Sequence, residues 1–418
     1  MILVINSSFP ELNHLAAGLA EKKLLSCYVR PYANTRRGVE RGLARIPWMS
    51  FAYSQTLGRR EMPTPLASEN ILQAALGWDF AIAMHARLPY WLMKHRQTRT
   101  RLLQHWSRAI ASTGARALRD ECVVVAAWGC AEPAFRVAKA RGAVCVLNYS
   151  LAHHAFTQRY LQEEAAREPA FASTLNSHDL PVWQLAQLDR EIALADHILV
   201  GSSFVRDTFI AEGVPAAKLE VIPYGVDTSL FRPRTRRAPV GDSFNIIFAG
   251  QLSQRKGLSY LLRAYEQIRT AKTSLTLVGQ MQDDGTALNP WRHLFSHIPH
   301  VPREKLADLF RQSDVFALPA LVEGMPLVVV EAMASALPVV STPNGSGDII
   351  RDGVDGYLVA PRDVDGLAAR LRELQQDLAL RTNLGANAAL RARDYNWAAY
   401  RRTTRDKLSS WMRAARRR

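Results

Sequence analysis

The stretch SDVFALPALVEGMPLVVVEAMASALPVVSTPNGSGDIIRDGVDGYLVAP (313–361) decides how the chain is read. VFALPA (315–320) and LPVVST (337–342) are short apolar runs of strand character, and helical character lies between them. Glu323 follows the first strand and a turn, and Gly324-Met325-Pro326 prepares a helix that carries Glu331. Pro326 suits a first helical turn, where a missing N–H costs nothing. Such a helix start offers backbone N–H groups and a positive dipole end, a seat for a diphosphate. A carboxylate two turns further on can accept hydrogen bonds from a ribose diol.

Outward from this segment the alternation continues. VVVAAWG (123–129) leads into a helix around Glu132–Ala140 and then VCVLNY (144–149). HILVGSS (197–203) leads into a helix around Phe204–Glu212 and then LEVIPYG (219–225), followed by FNIIFAG (244–250) and SLTLVG (274–279). Short apolar strands between amphipathic helices indicate an α/β protein with parallel sheets covered on both faces. The pattern occurs twice, and 418 residues suit two domains. PYGVDTSLFRPRTRRAPVGDS (223–243), rich in Pro, Gly and Arg without apolar periodicity, reads as the linker. The expected domains are 1–225 and 226–395, with a terminal helix and basic tail over 396–418.

The composition, 48% hydrophobic and 22% charged, is that of an ordinary globular protein. Cys27, Cys122, Cys130 and Cys145 show no CxxC spacing, so neither structural zinc nor a disulfide framework is expected and a reducing, cytoplasmic setting fits. The opening MILVINSSFPELNHL reads as a first strand, not a signal peptide. ILQAALGWDFAIAMHARLPYWLM (71–93) is interrupted by Asp79, His85 and Arg87. A spanning helix needs about 20 mostly apolar residues, so none is expected there.

Residues 313–361 resemble the C-terminal half of the retaining glycosyltransferase family 4, marked by a Glu, seven residues, Glu motif. SDVFALPA, EGMPLVVVEAMA, ALPVVST and DGVDGYLV match in order. FAGQLSQRKGLSYLLRAYEQI (248–268) is similar to the family's phosphate loop: a strand ends at Gly250, Arg255 and Lys256 follow, and Gly257 precedes a helix. LADHILVGSSFVRDTFIAEGVPAAKLEVIPYGVDTSLFRP (194–233) resembles the family's crossover between domains. There Ser202 and Ser203 read as helix N-caps, and Gly225 as the residue that permits the turn into the linker. The resemblance covers about residues 120–395.

This resemblance implies the GT-B fold, two Rossmann-like doubly wound domains facing a central cleft, with the last helix returning to the N-terminal domain. It implies Lys256 and Arg255 on the donor diphosphate, where cations stabilise the charge of a departing phosphate. Glu323 would bind the sugar hydroxyls and Glu331 the ribose. Gly250, Gly324, Met325, Pro326 and Leu327 would line the donor site, and Val301 would lie beside the base. Of His153 and His154, one is expected near the donor sugar, with His154 slightly preferred. The chain departs from the family pattern at two places. Gln251 stands where a second cation usually follows the strand-end glycine, and Asn6-Ser7-Ser8-Phe9-Pro10 replaces the usual Gly-Gly pair after strand one.

The net charge of +15 is concentrated at the two ends. Residues 1–120 hold 17 Lys and Arg against 7 Asp and Glu, and residues 401–418 hold 8 against 1. LPYWLMKHRQTRTRLLQHWSRAIA (88–111) sets Trp91, Leu92, Leu102, Leu103, Trp106 and Ile110 beside many cations. With RRGVERGLARIPWMSF (36–51) and the RAARRR tail, it suggests a surface that seeks anionic lipid headgroups. No helix-turn-helix, zinc-finger or RNA-recognition pattern accompanies the charge, so no nucleic-acid partner is expected.

The expectation is therefore a retaining hexosyltransferase acting from a UDP- or GDP-sugar donor onto a glycan acceptor, lipid-linked, in exopolysaccharide, lipopolysaccharide or other glycoconjugate synthesis. It would be cytoplasmic, peripheral on the inner membrane face, with no cofactor and no metal, since no DxD-like motif accompanies the donor elements. The competing readings are a nucleotide-sugar epimerase or hydrolase on the same fold, and a non-catalytic partner in a polysaccharide assembly complex.

Overall fold

The computed structural model describes residues 1–32, 66, 71–85, 96–175, 180–234, 243–283 and 285–416. The stretch 36–51, residues 88–95 and the last two arginines of the tail lie outside the described residues. The chain packs as two compact units, one of residues 1–149, 183–199 and 400–418, the other of residues 150–182 and 200–399. The packing thus groups 150–182 and 200–225 with residues 226–399, where the sequence reading sets a single boundary after residue 225.

The first unit is built on the parallel strands β1 (Ile2–Ile5), β2 (Leu25–Arg30), β3 (Ile71–Gln73), β4 (Val123–Ala127), β5 (Val144–Asn148) and β6 (His197–Val200), in the order β3-β2-β1-β4-β5-β6. β1 and β4 are wholly buried, as apolar runs covered on both faces must be. The helices of this unit are α1 (Pro10–Ala20), α2 (Leu76–His85), α3 (Arg96–Ala117), α4 (Glu132–Ala140), nearly all of α6 (Val182–Leu194) and most of α13 (Trp397–Ala415). The partial apolar stripe of the 88–111 stretch is divided among its described residues, and Trp91 and Leu92 lie outside them. Ile110 is buried and the Trp106 indole donates to Asp79 at 3.2 Å, while Leu103 stays 40% exposed. Gly114 lets α3 lie directly on β1, because a Cβ there would stand 2.3 Å from Ile5.

The second unit holds the parallel strands β8 (Phe244–Ala249), β9 (Thr273–Val278), β10 (Ser296–Ile298), β11 (Val315–Leu318), β12 (Val339–Ser341) and β13 (Gly356–Leu358), ordered β10-β9-β8-β11-β12-β13. A short strand, β7 (Leu219–Val221), also belongs to this unit. Its helices are α5 (His154–Arg167), α7 (Ser203–Ala211), α8 (Leu258–Ile268), α9 (Arg303–Gln312), α10 (Leu327–Ala334), α11 (Val364–Gln376) and α12 (Leu378–Ala392). Counted from its own first strand, this sheet repeats the 3-2-1-4-5-6 order of the first, the doubly wound arrangement. Among the described residues no helix is long and apolar enough to cross a membrane. The four cysteines are unbridged.

At Gly225, where a turn is expected, the backbone makes a close approach. A Cβ there would stand 2.3 Å from the Trp397 amide nitrogen, where Val226 N–H donates to Tyr395 O. Gly279, just after β9, has φ +147, and a Cβ there would stand 1.7 Å from Gly250 O. Gly279→Ala is expected to lower unfolding stability by about 2–4 kcal/mol, combining backbone strain with overpacking. Urea titration checks this, and an unchanged midpoint would contradict the packing described.

Candidate functional site

In the second sheet the winding direction reverses between β8 and β11. The loops leaving the carboxyl ends of those strands border the crevice where open α/β sheets bind ligands. β8 ends at Gly250, whose N–H donates to Val278 O at 2.9 Å and whose φ is +143. The chain then makes a 3-10 turn, Gln254–Lys256, closed by Gly257 in the left-handed region. A Cβ at Gly257 would fall 1.9 Å from Pro319 O, so the two loops interlock there. Leu321 N–H donates to Arg255 O at 2.9 Å, and the Arg255 guanidinium donates to Val322 O at 2.8 Å.

This interlock brings Glu323, Arg255 and Lys256 together. One oxygen of Glu323 lies 2.5 Å from Arg255 Nη1 and 2.5 Å from Lys256 Nζ. Glu323 is 7% exposed and Lys256 8%. Burial alone would push the Glu323 carboxyl up, but Arg255 and Lys256 together hold it below its ordinary value. Burial pulls the Lys256 ammonium down, against the opposing pull of Glu323. Two cations face one carboxylate, leaving an excess positive charge in a mostly dry corner. Gln251 is exposed on the same loop, and Arg255 is the side chain that joins Lys256.

Gly324 touches the neighbouring backbone, since a Cβ there would stand 1.8 Å from Ser150 O. Gly324 O accepts from Ser202 Oγ at 2.5 Å, and Met325 Sδ accepts from Tyr224 N–H at 2.9 Å. Pro326 is the extended N-cap of α10, and no side chain caps the helix start at Leu327 among the described residues. Glu331 lies on α10, 6% exposed, with its carboxylate 2.7 Å from Arg303 Nη2 at the start of α9. Burial outweighs Arg303 and pushes the Glu331 carboxyl up. Val301, half-buried, sits between β10 and α9, two residues before Arg303.

His153 and His154 stack at 4.3 Å between ring centroids. His153 caps α5, its Nδ1 accepting from Ala155 N–H at 3.2 Å, and its ring meets Phe209 edge-on. His154 opens the helix and is buried. Ser202 is the N-cap of α7, and Ser203 begins the helix, donating to Asp348 rather than capping.

In the first unit, the loop after β1 is tied by Asn6, whose Oδ1 accepts from Ser8 N–H and Phe9 N–H, with Ser8 at φ +107. A residue without a left-handed penalty is therefore not needed for this loop to turn, because the Asn6 carboxamide carries it. Glu11 beside it is buried and pushed up to about 7, with Asn148 donating to it at 3.0 Å.

Sequence reading missed Arg303, Gly345, Thr342 and Asn344. Gly345 has φ +95, and a Cβ there would stand 2.7 Å from Glu323 Cβ. Thr342 Oγ1 donates to Ala320 O and Asn344 Nδ2 to Leu321 O, pinning the strand end that carries Glu323. The STPNGSG run after LPVVST was the available signal. Among the described residues no cluster of three or more His, Cys, Asp or Glu could hold a metal ion.

A carboxyl raised in the folded state is most favourable below its ordinary value of 4.5, and that stability is lost as pH rises through the raised value. Glu331→Gln is therefore expected to raise the melting temperature at pH 7, by an amount that shrinks toward pH 4. Calorimetry across that range checks it, and a less stable variant at pH 7 would contradict the assignment of burial as the dominant effect.

Residues 243–377 match the family model described as Glycosyl transferases group 1. The D-inositol 3-phosphate glycosyltransferase of Kineococcus radiotolerans is 30% identical over 271 residues, 55% of this chain and 62% of that protein. The chain spans about half the length of the other curated relatives it matches. Sucrose-phosphate synthase from Thermosynechococcus elongatus superposes with a TM-score of 0.65 over 99% of both chains at 16% identity. Anabaena HepE in complex with UDP-glucose gives 0.62 at 16% identity, over 98% of this chain and 99% of that one. These likenesses give the fold, which is GT-B, an α/β architecture of two doubly wound domains. The interlocked loops and the α10 start lie inside the matched residues, and over them the chain is similar to the glycosyl transferases of group 1.

Proposed function

We propose that the chain is a retaining hexosyltransferase of the family 4 type, using a UDP- or GDP-sugar donor without a metal ion. One observation carries this reading: the buried excess of positive charge where Arg255 and Lys256 share a single carboxylate, Glu323. A diphosphate supplies the missing anion, and the uncapped start of α10 supplies N–H donors beside it. Phosphate oxygens would take over hydrogen bonds from the cations, releasing Glu323 to accept from sugar hydroxyls. Glu331, already paired with one donor, has a second oxygen for the ribose diol. HepE bound to UDP-glucose on the same fold supports a nucleoside diphosphate sugar as the donor.

In this reading the bond from the anomeric carbon to the β-phosphate oxygen breaks as the acceptor hydroxyl oxygen bonds to the same face. The acceptor proton passes to the departing phosphate, and Arg255 and Lys256 hold the charge that develops there. Glu323, kept ionised by its two cations, binds rather than donates a proton, unlike the acid of a glycosidase. His154 is the histidine proposed beside the sugar, because His153 is committed to capping α5.

The acceptor we propose is a glycan, lipid-linked and met at the inner face of the cytoplasmic membrane. The support is the charge of the ends and the exposure of Arg101, Arg108, Arg116, Arg402 and Arg413, each outside the unit's apolar packing. Vesicles with anionic lipid are expected to bind the protein at low salt and release it at high salt. Failure to bind would remove the lipid-linked acceptor and favour a soluble phosphorylated one, as the name of the K. radiotolerans relative describes for that protein.

The donor reading is tested by thermal-shift and calorimetric titration with UDP, GDP, ADP and CMP. One diphosphate is expected to stabilise the protein selectively, and Glu331→Ala to abolish the effect. Lys256→Ala is expected to lower turnover by about 100- to 1,000-fold, the usual consequence of losing one charge-stabilising group. No stabilisation by any nucleotide would overturn the transferase reading.

A further inference from the structure

We propose that Glu164 on α5 is a positioning residue for the Arg255–Lys256 cation pair, acting through Gln254; the proposal rests on the donor reading above. Glu164 is fully buried, yet its carboxylate meets three donors from elsewhere in the unit. Oε1 accepts from Gln254 Nε2 at 2.7 Å and from the Tyr260 hydroxyl at 2.6 Å, and Oε2 accepts from Arg362 Nε at 2.8 Å. A buried carboxylate that lost these donors would carry its full desolvation penalty.

Gln254 is the residue immediately before the two cations. It too is fully buried and is held on every polar atom it has. Its amide N–H donates to Thr174 Oγ1 at 2.9 Å, its Nε2 to Ser259 Oγ as well as to Glu164, and its Oε1 accepts from Ser259 N–H at 3.1 Å. A carboxamide can rotate by half a turn and exchange its oxygen and nitrogen, and the shape of the side chain hardly changes. Two contacts oppose that exchange: the Glu164 carboxylate offers only acceptor oxygens to Nε2, and the Ser259 N–H can only donate to Oε1. Together they fix the direction of the Gln254 carboxamide, and Glu164 ties it to α5, with the turn whose next two residues converge on Glu323.

Two further features indicate that this contact is built in. Arg362 holds a left-handed backbone, φ +72, a conformation a side-chain-bearing residue rarely adopts, and from it the guanidinium reaches Glu164 and covers the Tyr160 ring at 4.4 Å. Glu168, one turn on from Glu164, makes a two-pronged pair with Arg263 at 2.6 Å on each oxygen. That pair joins α5 to α8 without touching Gln254. Glu168 thus serves docking alone, whereas Glu164 reaches both α8, through Tyr260, and Gln254. His154 opens α5 ten residues before Glu164, so a single rod carries both the histidine and the support of the cations.

The test compares diphosphate with monophosphate binding, which isolates the β-phosphate that the cations meet. Calorimetric titrations of the full chain with UDP, UMP, GDP and GMP are made on wild type, Glu164→Gln, Gln254→Ala, the double variant and Glu168→Ala. Glu164→Gln is expected to lower diphosphate affinity by about tenfold while monophosphate affinity stays within about twofold. Gln254→Ala, which leaves Glu164 paired with Tyr260 and Arg362, should reproduce the loss and keeps the test valid if Glu164→Gln does not fold. The double variant should lose no more than either single one, the mark of residues acting through one another. Glu168→Ala should keep wild-type nucleotide affinities. Unchanged diphosphate affinity in both single variants, additive losses in the double, or an equal loss in Glu168→Ala would each overturn the proposal. A wild type that binds no diphosphate would instead overturn the donor reading, and this proposal with it.

Discussion

A carboxylate withdrawn from water must be paired, and in this chain that requirement falls on Glu323. Its partners, Arg255 and Lys256, leave a different strand some 70 residues earlier, so pairing demands that the loops after β8 and β11 interlock. Three glycines make the interlock possible: Gly257 against Pro319, Gly324 against Ser150, and Gly345 against the Glu323 side chain itself. The outcome is over-supplied with positive charge. Removing an ion from water costs several kcal/mol, and one carboxylate does not compensate two cations. A bound anion would compensate the second.

Glu331 shows the same tension with the opposite sign. It is nearly buried on α10, and its partner among the described residues, Arg303, has a side chain half exposed to solvent. A pair with a solvated partner contributes little, so the carboxyl stays raised. Natural proteins keep such groups where a ligand needs them, at some expense to the stability of the free form. Glu323 and Glu331 are thus not equivalent carboxylates with seven residues between them: one is held ionised by two cations, the other is under-compensated.

What was legible in the sequence is what is local. Glu323, the turn and Glu331 belong to one strand-turn-helix unit, and Gly250, Arg255 and Lys256 to another, so each could be read from a single window. Most of the strands that enclose them are unbroken apolar runs and were read with nearly their observed bounds. β10 and β13 were not, being three residues each and, in the second case, merged with the DGVDGYLV turn. Arg303 and Gly345 were missed because only the folded sheet brings them to the carboxylates. Glu164 lies 90 residues from Gln254, and no window joins them. The apolar residues of the 88–111 stretch were misleading for the reverse reason: spacing shows that a helix has an apolar face, but not what covers it. Ile110 and Trp106 are turned into the first unit, while Leu103 stays exposed beside the cations.

The most direct measurement is a crystal structure of the chain with the nucleoside diphosphate that stabilises it. The β-phosphate is expected within hydrogen-bond reach of both Arg255 and Lys256, the ribose diol on Glu331, and Glu323 no longer monopolising the two cations. A diphosphate bound elsewhere, with the Glu323–Arg255–Lys256 cluster intact and untouched, would contradict it.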